Sequence, residues 1–307
     1  MEHHHHWKLA LVLTILIPVS LACAMMPGTG ATSPTMQPAE KPAATQASKT
    51  ESTQPAAATA PAQDTATAAP TAGQKPNGYY EGISFYYDPA LAKGVSAQTL
   101  EASAPSDPKD PQPFFMISPK EFQFDFQGYL IPDGMKPEIL VFSAKEYETL
   151  IGGDPNPVTR QLAGLSKLMT DRPADSSGSL PFLPVWDAGQ LMHFHLKFLK
   201  FQNGEGIRYL TEYGQDMAPL SNALLFYTFQ GQTRDGAYYI SAVLPVTHAK
   251  LPGDNGETLN KDHANFIQNY PAYVVDVQNQ LNAENDNSFN PTLEKLDALI
   301  ASIKVDK

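Results

Sequence analysis

The chain has 307 residues, room for one large or two small domains. Its formal charge is −11, and because the charges of residues 1–76 cancel, the whole deficit falls on the remainder. Such an acidic surface repels phosphate backbones and argues against nucleic acid as a partner. A single cysteine, Cys23, excludes an internal disulfide, so a folded domain here must rest on its apolar core.

The N-terminal residues come first. His3–His6 read as a tag remnant or an unusual leading region, not as a metal site. Leu9–Ala22 is an apolar run of 14 residues with Pro18 inside. A spanning helix needs roughly 20 apolar residues, whereas a signal-peptide core needs only about 7–15, so the run reads as a signal peptide. Its last residues, Val19-Ser20-Leu21-Ala22-Cys23, resemble the lipobox of bacterial lipoproteins. That resemblance implies that Cys23 is acylated, becomes the first residue of the mature chain and anchors it in a lipid bilayer. The implied location is the outer face of a membrane in the bacterial cell envelope. Ordinary cleavage near Ala22–Ala24, with secretion, is the alternative.

Residues 24–76 are dominated by Ala, Thr, Pro, Gln and Ser, with no aromatic residue and no apolar period. Such a segment buries too little surface to offset its ordering entropy, so the composition predicts a disordered tether. As a flexible coil it would average about 40 Å from end to end.

Aromatic residues begin at Tyr79-Tyr80, which places one globular domain over residues 78–307. Ile83, Phe85 and Tyr87 alternate with Ser84 and Tyr86, as in a half-buried strand that Asp88-Pro89 ends. Residues 103–113, rich in Pro, Asp and Ser, predict a surface loop. Phe122, Phe124 and Phe126 alternate with Glu121, Gln123, Asp125 and Gln127, giving a strand with one apolar and one polar face. Glu121 and Asp125 fall roughly 13 Å apart on such a strand, too far for a glycosidase carboxylate pair, so they read as a solvated face. Ile139–Phe142 predicts a buried strand, and a helix follows over Ala144–Leu150. Asn156-Pro157 reads as an N-cap with proline in the first turn of a helix that buries Leu162, Leu165, Leu168 and Met169 and ends at Arg172-Pro173.

Asn203-Gly204 signals a hairpin. With these two as the loop, Phe194, Leu196 and Phe198 share one face with Tyr209, Thr211 and Tyr213, and His195 faces Glu212. His193, His195 and Glu212 then form the one constellation with zinc-ligand chemistry. No third nitrogen or sulfur ligand is visible nearby, so the pattern favours an exposed polar face, and no metal or cofactor is expected. His248 and His263 could join only through the fold. Asp235-Gly236 marks a second hairpin, with Leu225, Tyr227 and Phe229 on the side of Tyr238, Ile240, Ala242 and Leu244. Its other side is also largely apolar, which predicts central strands covered on both faces. Residues 253–262 form a polar loop without calcium-loop spacing. One helix is predicted from Pro271 to about Ala283, burying Tyr273, Val274, Val277 and Leu281. Asn290-Pro291 caps a last one, with Leu293, Leu296, Ile300 and Ile303 inward.

The expected class is α+β: a central, largely antiparallel sheet flanked by helices, preceded by the signal peptide and the linker. The domain resembles a set of uncharacterised bacterial lipoproteins through Gly82-Ile83-Ser84-Phe85-Tyr86-Tyr87-Asp88, Phe201-Gln202-Asn203-Gly204 with Gly206-Ile207-Arg208-Tyr209-Leu210-Thr211, and Phe226-Tyr227-Thr228-Phe229-Gln230-Gly231 with Asp235-Gly236. A fainter resemblance, carried by the opening strand and by Leu293–Val305, is to the PsbP/Mog1-like fold, which implies an antiparallel sheet between helices. Neither resemblance brings functional residues. Serine-hydrolase, zinc-protease, phosphate-loop and dinucleotide motifs are absent from the sequence. The leading expectation is a non-enzymatic binding or interaction domain for an unknown protein or small molecule. An envelope hydrolase or metal-dependent enzyme centred on His193, His195 and Glu212 is one alternative, and a structural subunit of an envelope complex is another.

Overall fold

A seven-stranded antiparallel sheet organises the chain. In spatial order its strands are β3 (Gly94–Leu100), β4 (Glu121–Gln127), β5 (Glu138–Phe142), β9 (Tyr239–Pro245), β8 (Phe226–Thr233), β7 (Gly204–Gly214) and β6 (Gly189–Phe201). A smaller sheet pairs β1 (Gly78–Tyr80), β2 (Ile83–Phe85) and β10 (Lys304–Val305). The helices are α1 (Ala144–Ile151), α2 (Pro157–Asp171), α3 (His263–Asn282) and α4 (Leu293–Ser302). This computed structural model describes residues 75–103, 112–131, 134–174, 176–254 and 263–307, without the side chain of His263. The signal peptide, Cys23, all but the last two residues of the tether, most of the Pro-rich loop and most of the polar loop before α3 lie outside the described residues. The class is α+β, with helices on the faces of the sheet.

Each face of the large sheet carries its own core. On one, Phe124, Ile139, Tyr227, Phe229, Ile240 and Leu244 pack with the small sheet's Ile83 and Phe85 and with α4's Leu293, Leu296, Ile300 and Ile303. On the other, Phe142, Ile207, Tyr209 and Tyr239 pack beneath Tyr147 of α1 and Val158 and Leu165 of α2. β8 and β9 are therefore covered on both sides, as their apolar runs predict. Their hairpin turns at Asp235-Gly236, with Gly236 at φ 69.

The segment 180–186 crosses the second face as an extended strap. Side chains satisfy its backbone: Gln190 and Gln161 accept from the N–H of Leu180 and Phe182, Gln230 and Tyr147 from those of Leu183 and Val185, and Tyr209 donates to the Pro181 carbonyl. An irregular segment can be buried only with such partners.

Several boundaries differ from the sequence reading. β3 has no apolar period strong enough to announce it, and it forms by pairing with β4 through seven consecutive residues. α2 starts as expected, with Asn156 Oδ1 accepting from Val158 and Thr159 N–H. α3 begins at His263 and carries Pro271 inside, exposed, where the carbonyl that loses its partner can be hydrated. The N-cap of α4 is Thr292, because the Asn290 backbone is bridged to Thr247 and the helix starts beyond it. The polar side of β4 is not a solvated face: Glu121 and Gln123 are buried, Gln123 linking Gln98 to Glu138 by hydrogen bonds of 2.8 Å.

The β6–β7 hairpin differs most. Its loop is Gln202-Asn203, with Phe201 opposite Gly204. Gln202 N–H donates to Ile303, and Asn203 pairs its side-chain amide with the backbone of Val305, so the turn is shaped by its dock on the C-terminal segment. Gly204 is a strand residue whose missing side chain makes room for the Phe201 ring, 2.1 Å from where a Cβ would lie. A bulge at His195-Leu196, with His195 at φ 54, then turns Phe194 to the face opposite Leu196 and Phe198.

Candidate binding pocket

A cavity of about 620 Å³ opens where the last two turns of α2 pass over the ends of β6, β7 and β8. Its floor is a row across three strands: Lys200 pairs with Glu205, and Glu205 with Gln232. Its roof is Leu165, Ser166 and Met169 on one face of α2, followed by Arg172. Arg234, in the loop after β8, closes the side. Arg172 is the left-handed C-cap of α2, at φ 42, which swings its side chain back over the sheet. There the guanidinium stacks 5.2 Å above the Phe198 ring and donates to Glu205 at 2.9 Å. Arg172, Lys200 and Arg234 against one Glu205 leave the lining net positive, on a chain whose formal charge is −11. Leu165 and Met169 give it an apolar side. The size lies within the range of small-ligand pockets, roughly 300–1,000 Å³.

The residues singled out from sequence are placed apart. His193 pairs with Thr211, and its Nε2 lies 2.9 Å from the Ser176 carbonyl. His195, turned by the bulge, lies 3.3 Å from Asp286 and edge-on to Phe289. Glu212 pairs with Met192, not with His195, and accepts from Ser221 N–H at 3.1 Å. His248 also contacts Phe289, with ring centroids 4.8 Å apart and the planes tilted by 43°. Among the described residues no group of three or more His, Cys, Asp or Glu is placed to hold a metal ion. Cys23 lies outside the described residues.

His195 instead belongs to a buried ionic cluster, which the bulge at His195-Leu196 brings together. Arg208 is 1 % exposed. It donates to Asp297 (3.1 Å), Asp286 (2.9 Å) and the His195 carbonyl (2.7 Å). Lys197 and Tyr227 also donate to Asp297, at 2.8 and 3.0 Å. The hydrogen bond from His195 and the Arg208 charge hold Asp286 down to about 2, against the opposing effect of burial. Every charge here has a partner, so the cluster clamps β6–β8 to α4 and to the short turn before it.

Two buried carboxyls behave differently. Burial pushes Glu212 up to about 7, opposed by the Ser221 N–H. Burial and the neighbouring Glu138 push Glu121 up to about 7, opposed by Lys136.

The pocket residues were missed because they become neighbours only in the true register, which brings Lys200, Glu205 and Gln232 into one row. The available signal was a cation at the end of each of three elements: Arg172 after α2, Lys200 in β6 and Arg234 after β8. Compared with family models, curated proteins and solved structures, the chain has no match.

Proposed function

We propose that this chain is a lipid-anchored protein of the bacterial cell envelope whose globular domain binds a small, partly apolar anion. The cavity between α2 and the sheet ends carries the reading, because three cations and an apolar wall converge on it in an otherwise acidic molecule. Arginine forks and a lysine recognise a carboxylate or phosphate, while Leu165 and Met169 contact a hydrocarbon part. The lipobox resemblance of Val19–Cys23 supports the anchor, and the likeness to bacterial lipoproteins supports the same location. The enzymatic alternative is weaker, since His193, His195 and Glu212 are committed to three different neighbourhoods.

Titration calorimetry of the full chain with decyl phosphate, below its micelle concentration, tests the pocket. The phosphate ester is expected to bind, and decyltrimethylammonium is not. Arg234→Ala and Lys200→Ala should each weaken binding by roughly tenfold. Undiminished binding by the double variant, or no binding at all, overturns the assignment. For the anchor, an unmodified mature N-terminus by mass spectrometry rejects acylation of Cys23.

A further inference from the structure

The two edges of the large sheet are treated differently. β6 is covered: Gln278 and Asn282 of α3 accept from the N–H groups of His193 and His195. At the other edge, no backbone group among the described residues pairs with the outer side of β3. β3, Gly-Val-Ser-Ala-Gln-Thr-Leu, holds no proline and no charge, and its register with β4 is unbroken over its whole length. Proline and charge, two of the usual devices that blunt an exposed edge, are absent from it; β1 approaches through a side chain, with Tyr80 Oη 3.2 Å from Thr99 Oγ1.

The direction of its free groups follows from the ladder. Phe126 of β4 donates its N–H to Pro137 on the β5 side. Alternate residues Glu121, Gln123 and Asp125 therefore turn their backbone groups to β3, where they meet Leu100, Gln98 and Ser96. Val95, Ala97 and Thr99 are left presenting N–H and C=O outward.

This edge is complementary to itself. Two copies laid antiparallel about Ala97 pair Ala97 with Ala97, and Val95 with Thr99, in both directions. All three are outward-facing residues, so each pair exchanges two backbone hydrogen bonds. One step further out, beyond the strand ends, exposed Lys93 at the bend before β3 would come near exposed Glu101 of the other copy, which Lys120 of its own chain holds at 2.9 Å. Opposite charges at both ends favour this register over a slip.

We infer that β3 is a homodimerisation strand, through which two copies of the chain join their sheets about a twofold axis at Ala97. The partner is a second copy because a twofold about Ala97 satisfies the three outward residues and the flanking charges together.

The full chain with Cys23→Ser, free of other thiols, tests this. Residues in a hydrogen-bonded antiparallel pair have Cα atoms about 5.5 Å apart, within disulfide reach. Ala97→Cys is therefore expected to give a reducible dimer under mild oxidation, and the exposed control Gly253→Cys is not. By sedimentation velocity, Lys93→Glu or Glu101→Lys should weaken dimerisation roughly tenfold, and the double swap should restore it. Ala97→Pro removes an outward N–H without touching the β4 ladder and should give a monomer; should it fail to fold, the charge swaps still decide. A chain that sediments as a monomer at every concentration overturns the proposal. So does cross-linking of Ala97→Cys no faster than the control, or an absence of charge-swap rescue. An extended peptide occupying this edge in place of a second copy would give the monomer result.

Discussion

The Arg208 guanidinium meets Asp297 at 3.1 Å with both side chains almost wholly buried. Each has two further partners: Asp297 receives Lys197 and Tyr227, and Arg208 donates to Asp286 and the His195 carbonyl. Removing the Asp297 charge leaves Lys197 without its carboxylate and Arg208 with Asp286 alone, whereas removing Arg208 leaves Asp297 with Lys197 and Asp286 with His195. Asp297→Asn is therefore expected to cost about 3–5 kcal/mol, measured by urea unfolding, and Arg208→Met less. Equal losses would show that the carboxylate is not the hub.

Glu212 and Glu121 give stability a sign that is unusual for carboxylates. Both have folded values raised to about 7, so the folded state holds their protons more tightly than the unfolded chain does. Their contribution is fully present below the unfolded value of about 4.5 and is lost as pH rises toward 7. Asp286, held at about 2, works the other way and loses its contribution as pH falls from about 3.8 to 2. Stability should therefore peak in mild acid and fall on the order of 3 kcal/mol per glutamate by about pH 8. Glu212→Gln keeps the site neutral and should remove its share of that fall. A urea midpoint equally steep in pH for Glu212→Gln and the parent would disprove the assignment.

Gly206 faces Gly231 across β7 and β8, and a Cβ on Gly206 would lie 2.3 Å from the Gln230 carbonyl and 2.8 Å from the Phe229 ring. The obstacle is backbone and a packed ring, which cannot give way cheaply. Gly206→Ala should cost about 1–3 kcal/mol, seen as a lowered melting temperature. Gly253→Ala, with nothing within 4 Å of its Cβ, should be nearly neutral.

Gln230 holds the strap over the sheet, accepting from Leu183 N–H and Tyr239 OH while donating to Thr228 and Ser241. Gln230→Leu orphans several of these groups at about 1–3 kcal/mol for each left unpaired. Hydrogen exchange should show the Leu183 amide opening well before the β8 amides. Unchanged protection at Leu183 would mean that the strap is held by its apolar contacts alone.

The sequence was most legible where one local signal sufficed. The Asp235-Gly236 turn, the Asn156 cap and the inward residues Leu293, Leu296, Ile300 and Ile303 each rest on a few neighbouring positions, and the structure has them as expected. Legibility failed where a distant residue set the outcome. Asn203 takes its geometry from Val305, 102 positions away, and that dock moved the hairpin loop. The bulge at His195 carries no periodic mark of its own, yet it separates His193 from His195 and opens the way for His195 to reach Asp286. Glu121 reads as polar and therefore exposed, but α1's Tyr147 and Glu138 surround it. The pocket inherits these errors, because its floor exists only in the corrected register.

The small sheet has a consequence for time. Tyr86, just beyond β2, exchanges hydrogen bonds with Ser302 across 216 positions, and Ile83 pairs with Val305. Ile83 and Phe85 thus emerge early in synthesis, and the part of their cover that α4 and β10 supply comes last. At about 5–20 residues per second, these two large apolar side chains wait roughly 10–40 s for α4 and β10 to appear. During that interval a nascent chain of this design is open to aggregation through those two side chains.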